Sequence, residues 1–128
     1  MKSILSLTLA AALGLGGAAT AQDLIGSYSA YISQADLHNS KGQKLTQVWQ
    51  ILRQDRANFH KFGIRDPEDE NDIFFASIAN REKFEKMLVQ GAVTPGAKQI
   101  LLNGGAMVFV EVFGTNGIGT SVHVTVSE

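Results

Sequence analysis

Between Leu45 and Phe62 the chain reads LTQVWQILRQDRANFHKF, with no Gly or Pro. Apolar side chains recur at steps of three and four, the period of a helix. At roughly 100° per residue, Leu45, Val48, Trp49, Ile51, Leu52, Phe59 and Phe62 share one arc. Gln47, Gln50, Gln54, Ala57 and Lys61 lie opposite, so the spacing predicts a long amphipathic helix with one dry side. Gly63 suits a left-handed C-cap, and Lys61 suits the negative end of the helix dipole. Two charges break the pattern. Asp55 projects into the middle of the apolar arc, and Arg56 lies at its Trp49 edge.

The pattern elsewhere changes period. Asp23–Ser33 alternates imperfectly and carries Tyr28, Tyr31 and Ile32, which predicts a strand. Gln34–Lys44 is polar and reads as a surface connector. After the long helix, Asp66, Glu68, Asp69, Glu70 and Asp72 crowd a segment in which Pro67 disfavours helix at Asp66. Ile73–Ala76 is a short apolar run that fits either a strand or the packed end of that loop. A second helix over Arg81–Gln90, capped by Ser77 or Asn80, carries the stripe Phe84, Met87, Leu88. Thr94-Pro95 opens a third, short helix that closes at Asn103-Gly104-Gly105. Ala106–Phe113 and Thr120–Ser127 are rich in β-branched and aromatic residues around Asn116-Gly117, a hairpin signature. The order predicts an α+β fold: a small antiparallel sheet with the long amphipathic helix and one or two shorter helices packed on one face.

The first residues stand apart from this pattern. Lys2 precedes an uncharged apolar run, Ile4–Leu15, and then Ala19-Thr20-Ala21, which fits a signal-peptidase site. The run is shorter than the roughly 20 residues a spanning helix needs. The expectation is a signal peptide over residues 1–21, cleavage after Ala21, and a single α+β domain over residues 22–128. The location expected is the periplasm or outside the cell, without stable membrane insertion.

Composition narrows the partners. The net charge of −1 provides no field for nucleic acid. With no cysteine, disulfides, thiolate metal sites and a Cys nucleophile are excluded. An exported domain without disulfides relies on its core alone, which suits a bacterial periplasm. No G-x-S-x-G, H-E-x-x-H, Walker A or G-x-G-x-x-G motif occurs, and no cofactor is expected. The acidic run lacks the spacing of an EF-hand loop and reads as a solvated loop rather than a metal site.

Trp49, Arg53, Arg56 and His60 are separated by steps of three and four and form one helix-edge stripe. A ring beside two guanidiniums and an imidazole suits a planar or anionic group. Asp55 on the dry arc requires compensation, since burying an unpaired carboxylate is costly. Its neighbour Arg56 points about 100° away, so the expected partner is an arginine from another segment, Arg65 or Arg81. Glu111 sits among Met107, Phe109 and Phe113 and is a second buried-charge candidate. A two-residue Asn-Gly turn places it opposite Val122, whereas a three-residue loop places it opposite His123.

These residues point to a small exported non-catalytic domain that binds a protein partner or a small anionic or aromatic ligand through its sheet and basic helix edge. A second reading is a cofactor-free hydrolase or isomerase using Asp55, Glu111 or a histidine for acid–base work. A third is self-association through a strand edge.

Overall fold

The computed structural model describes residues 22–90 and 93–127. The expected signal peptide therefore lies outside the described residues. Three antiparallel strands, β1 (Asp23–Ile32), β2 (Ala106–Thr115) and β3 (Ile118–Ser127), form a sheet with β2 in the centre. The helices are α1 (Val48–Ala57), α2 (Ile78–Arg81), α3 (Phe84–Gln90) and α4 (Pro95–Asn103). This is the α+β arrangement that the hydrophobic periods predict.

Alternation along the strands decides which sheet face the helices cover. Tyr28, Ala30 and Ile32 of β1, Val108, Val110 and Val112 of β2, and Val122 and Val124 of β3 are buried. They meet Val48, Ile51 and Leu52 of α1, together with Phe75, Phe84, Met87 and Leu101. Each fully buried branched aliphatic or aromatic side chain contributes about 1.5–3 kcal/mol. The other face carries Leu24, Tyr31, Met107, Phe109, Glu111, Phe113 and His123, all at least partly exposed.

The long helix begins three residues later than its pattern and ends differently. After Ala57 the chain continues as one wide π turn, Asn58–Phe62, and the Gly63 and Ile64 amides both bond the Asn58 carbonyl. Gly63 is left-handed at φ 69°, the predicted cap. The wider turn resets the helical phase. Phe59 remains buried, but Phe62, expected in the dry arc, is 45% exposed.

Two other expectations are corrected. Gln34–Lys44 is not wholly surface, because a 3-10 turn, Gln34–Leu37, buries Leu37 and Asp36. Of the two readings of Ile73–Ala76, the packed end of the loop holds: Phe74–Ala76 is a 3-10 turn with Phe75 buried. The second helix divides into α2, whose Ser77 cap accepts the Asn80 amide at 3.3 Å, and α3. Thr94 and Pro95 open α4 as the sequence predicts, with Thr94 Oγ1 accepting the Ala97 amide at 3.1 Å.

The acidic segment is a largely exposed loop, but not a free one. It runs along the free edge of β1, where the Ser29 amide donates to Glu70 Oε1 at 2.8 Å and the Tyr31 amide to Asp69 Oδ1 at 2.9 Å. One step further, the Ser33 amide donates to Asp36 Oδ2 at 3.0 Å. Three successive outward amides of one edge thus end on carboxylates. Asp72 leaves the edge and enters the core.

The hairpin combines both registers considered for Glu111. The turn has two residues, with Asn116 at φ 53° and Gly117 at φ 78°, and pairs Thr115 with Ile118. A bulge between Phe113 and Gly114 then shifts the ladder by one residue, so Glu111 faces His123 and not Val122. Glycine permits that bulge, since a Cβ at Gly114 would collide with the Ile118 carbonyl oxygen.

Candidate functional site

Arg56 is the most deeply placed charge in the described chain, at 0% exposure. Its guanidinium lies 3.9 Å over the Tyr28 ring and 4.6 Å from that of Phe59. Nε donates to Asp55 Oδ2 at 2.9 Å, and Nη1 donates to Asp72 Oδ1 at 2.8 Å and to the Glu70 carbonyl at 2.9 Å. Asp72 is held further by the Phe75 amide on Oδ2 and by His60 Nε2, 2.9 Å from Oδ1. The partner of Asp55 is therefore its chain neighbour, and the expectation of Arg65 or Arg81 is wrong. Only the Cβ directions of neighbouring residues diverge by 100°. The long arginine stem folds back across that angle. Arg65 instead donates to the Phe59 carbonyl, and Arg81 to the carbonyls of Phe75 and Ala76.

One guanidinium cannot neutralise two buried carboxylates. Burial pushes Asp55 up to about 8, against the pull of Arg56, while Asp36 and Asp69 add to the rise. Burial likewise holds the Tyr28 hydroxyl well above its ordinary value. The rise favours the neutral form of Asp55 at neutral pH, which lessens the charge that the single guanidinium must balance. Three of its atoms, Tyr28 OH, Asp55 Oδ1 and Arg56 Nη2, are buried with no hydrogen-bond partner among the described residues. Beside it, Asn58 Nδ2 donates to Asp36 Oδ1 at 2.9 Å, and burial raises the Asp36 pKa against the pull of the Ser33 amide.

The predicted stripe consequently divides. Arg53 stacks on Trp49 with its guanidinium 4.9 Å from the ring, as a helix edge should. Arg56 and His60 turn into the charged cluster and do not join them. Arg56 is thus corrected from a surface binding residue to a buried one. Glu111, expected to be buried, is a half-exposed side chain on the outer sheet face, with Oε1 3.6 Å from His123 Nδ1. Neither Asp55 nor Glu111 lines any of four cavities among the described residues, of about 230, 220, 440 and 290 Å³. No group of His, Asp and Glu there is arranged to hold a metal ion.

A concave surface lies on the wet side of α1. One cavity of about 440 Å³ is bounded by the Ala35–Gly42 segment, Asn58, Phe62 and Ile64. A second, of about 220 Å³, is bounded by Arg53, Lys61, Ile78, Arg81 and Glu82. The two meet at Ser40, Gln54 and Phe62. Gln54 Nε2 donates to Asn58 Oδ1 at 2.9 Å, which fixes the floor between them. The π turn builds this groove, because it turns Phe62 out of the core and into the shared wall. Sequence reasoning missed it for that reason. Three exposed apolar side chains line these adjoining cavities, Ile64 the larger, Ile78 the smaller and Phe62 both, with Arg53, Lys61 and Arg81 around the smaller.

No protein-family model, no curated protein and no solved structure matches the chain. No helix among the described residues is long and apolar enough to cross a membrane.

Proposed function

We propose that this is an exported, non-catalytic binding domain whose groove takes a small amphipathic anion, such as an aliphatic or aromatic carboxylate. The observation that carries the proposal is Phe62, a large apolar side chain exposed in the wall common to both cavities. Ile64 and Ile78 extend the apolar surface. Arg53, Lys61 and Arg81 against the single Glu82 leave the smaller cavity net cationic. Ligand sites characteristically combine apolar walls with a few placed polar groups in this volume range. Export rests on the Lys2, Ile4–Leu15 and Ala19-Thr20-Ala21 pattern.

The test is a titration with decanoate, followed by calorimetry and by NMR of the Ile64 and Ile78 methyl groups. Decanol and decyltrimethylammonium serve as neutral and cationic controls. Saturable binding of decanoate, weakened about tenfold by Arg53→Gln with Lys61→Gln, is expected, since a charge-assisted contact is worth about 1.5–3 kcal/mol. Equal binding of all three probes, or shifts confined to the sheet, would refute the anion site.

A further inference from the structure

The free edge of β1 is closed by a device that differs from ordinary strand pairing. The segment between Arg65 and Asp72 is fastened at both ends. Arg65 donates to the Phe59 carbonyl at 3.1 Å, and Asp72 is locked to Arg56 at 2.8 Å. Between these anchors three hydrogen bonds join it to β1 among the described residues. Ser29 N–H donates to Glu70 Oε1, Glu70 N–H donates to the Ser29 carbonyl at 2.8 Å, and Tyr31 N–H donates to Asp69 Oδ1. Two of the three end on side chains, so the segment is a strap and not a fourth strand.

We infer that this edge is a pairing surface for a second copy of the chain, kept shut by the strap. The occupant follows from the strand itself. Leu24–Ile32 contains no charged residue and no proline, so two copies neither repel nor block each other. Ser29 and Tyr31 both present their backbone groups outward. An antiparallel copy related by a two-fold axis at Ala30 places Ser29 of one chain opposite Tyr31 of the other. Each such pair exchanges two backbone hydrogen bonds, as in any antiparallel ladder. The contact is isologous and closed, the commonest form of homodimer, and joins two three-stranded sheets into one of six. The strap occupies the same amides, so pairing and closure are mutually exclusive. This surface is separate from the groove, and its failure leaves the ligand proposal untouched.

The experiment removes the latch and leaves the anchors. Asp69→Ala with Glu70→Ala is compared with the wild type by sedimentation equilibrium at neutral pH, with circular dichroism to confirm the fold. The expected result is a monomeric wild type and a double variant of twice the monomer mass. Adding Ser29→Pro to the double variant separates this edge from other surfaces. The Ser29 N–H points away from β2, so proline there spares the sheet and removes the central intermolecular bond. Return to monomer is expected. A folded double variant that stays monomeric overturns the inference, as does a dimer indifferent to Ser29→Pro. Should the double variant fail to fold, Asp69→Ala and Glu70→Ala are measured singly, and monomers for both overturn it equally.

Discussion

Two histidine–carboxylate pairs occupy this small domain, and their surroundings make them different objects. His60 and Asp72 lie 2.9 Å apart with side chains 10% and 4% exposed. His123 and Glu111 lie 3.6 Å apart with side chains 53% and 29% exposed. The first pair belongs to a cluster of fixed groups: Arg56 and the Phe75 amide occupy Asp72 from other directions, and the Tyr28 and Phe59 rings exclude water. The second pair has water on one side and only strand geometry to hold it. Low dielectric strengthens every contact in the first and raises the cost of any group left alone. Water and salt discount the second. Chemically identical partners therefore serve different ends, one organising the core and the other trimming an exposed face.

Removing the cation at the centre of the buried cluster should have the largest effect. Arg56→Met leaves Asp72 buried without its guanidinium and Asp55 without its only partner. Breaking a buried pair from one side costs about 3–5 kcal/mol, against a total stability of about 5–15 kcal/mol for a domain. Urea denaturation should show a midpoint lowered by a third or more, or no cooperative transition. Arg56→Lys should fall between, since an ammonium cannot span Asp55, Asp72 and the Glu70 carbonyl with one planar fork. A wild-type midpoint for Arg56→Met would mean that the cluster is electrostatically idle and the contrast between the two pairs is false.

Asp55 gives the buried cluster a pH signature. An unfolded aspartate loses its proton near pH 3.9, whereas burial lifts the folded Asp55 to about 8. Between those values the folded state holds the extra proton, so stability falls as pH rises. The slope from one proton is at most about 1.4 kcal/mol per pH unit. Asp36, also raised by burial, acts with the same sign. Asp55→Asn keeps the shape and removes the titration, so its stability should vary less between pH 4 and pH 8, with Asp36 and Asp66, both raised, contributing to what remains. Identical pH curves for the variant and the wild type would show that Asp55 is ionised throughout.

The sequence made the scaffold legible because the scaffold obeys period. The strands, the Asn-Gly turn, the Thr94-Pro95 helix start and the Gly63 cap are local signals, and each lies where its chemistry put it. The site was harder to read for three particular reasons. A 100° wheel describes Cβ vectors, and Arg56 escaped it through the length of its stem. The π turn at Asn58–Phe62 adds a residue to one helical turn, so Phe62 left the apolar arc and built the groove wall. The Phe113/Gly114 bulge moved Glu111 opposite His123 although the turn itself was the expected one. The predicted stripe splits into two pairs, Trp49 with Arg53 at the surface and Arg56 with His60 on Asp72. The acidic run illustrates the same limit from another side: composition reads five nearby carboxylates as solvated, and no local rule announces that Asp69 and Glu70 will cap a strand 38 to 41 residues earlier.

A pair of double-mutant cycles measures the contrast directly, and the surface cycle is the smallest effect expected. For His60→Ala with Asp72→Asn, loss of a buried hydrogen bond predicts a coupling of about 1–3 kcal/mol, insensitive to salt. For His123→Ala with Glu111→Gln, an exposed ion pair predicts about 0.2–1 kcal/mol. At 3.6 Å the contact is long for a hydrogen bond, which favours the lower end of that range. High salt should remove the coupling, because partly exposed charges are screened. Either single substitution alone should change stability by less than about 0.5 kcal/mol. A surface coupling as large as the buried one, and persisting in salt, would show that the outer sheet face is itself covered in solution.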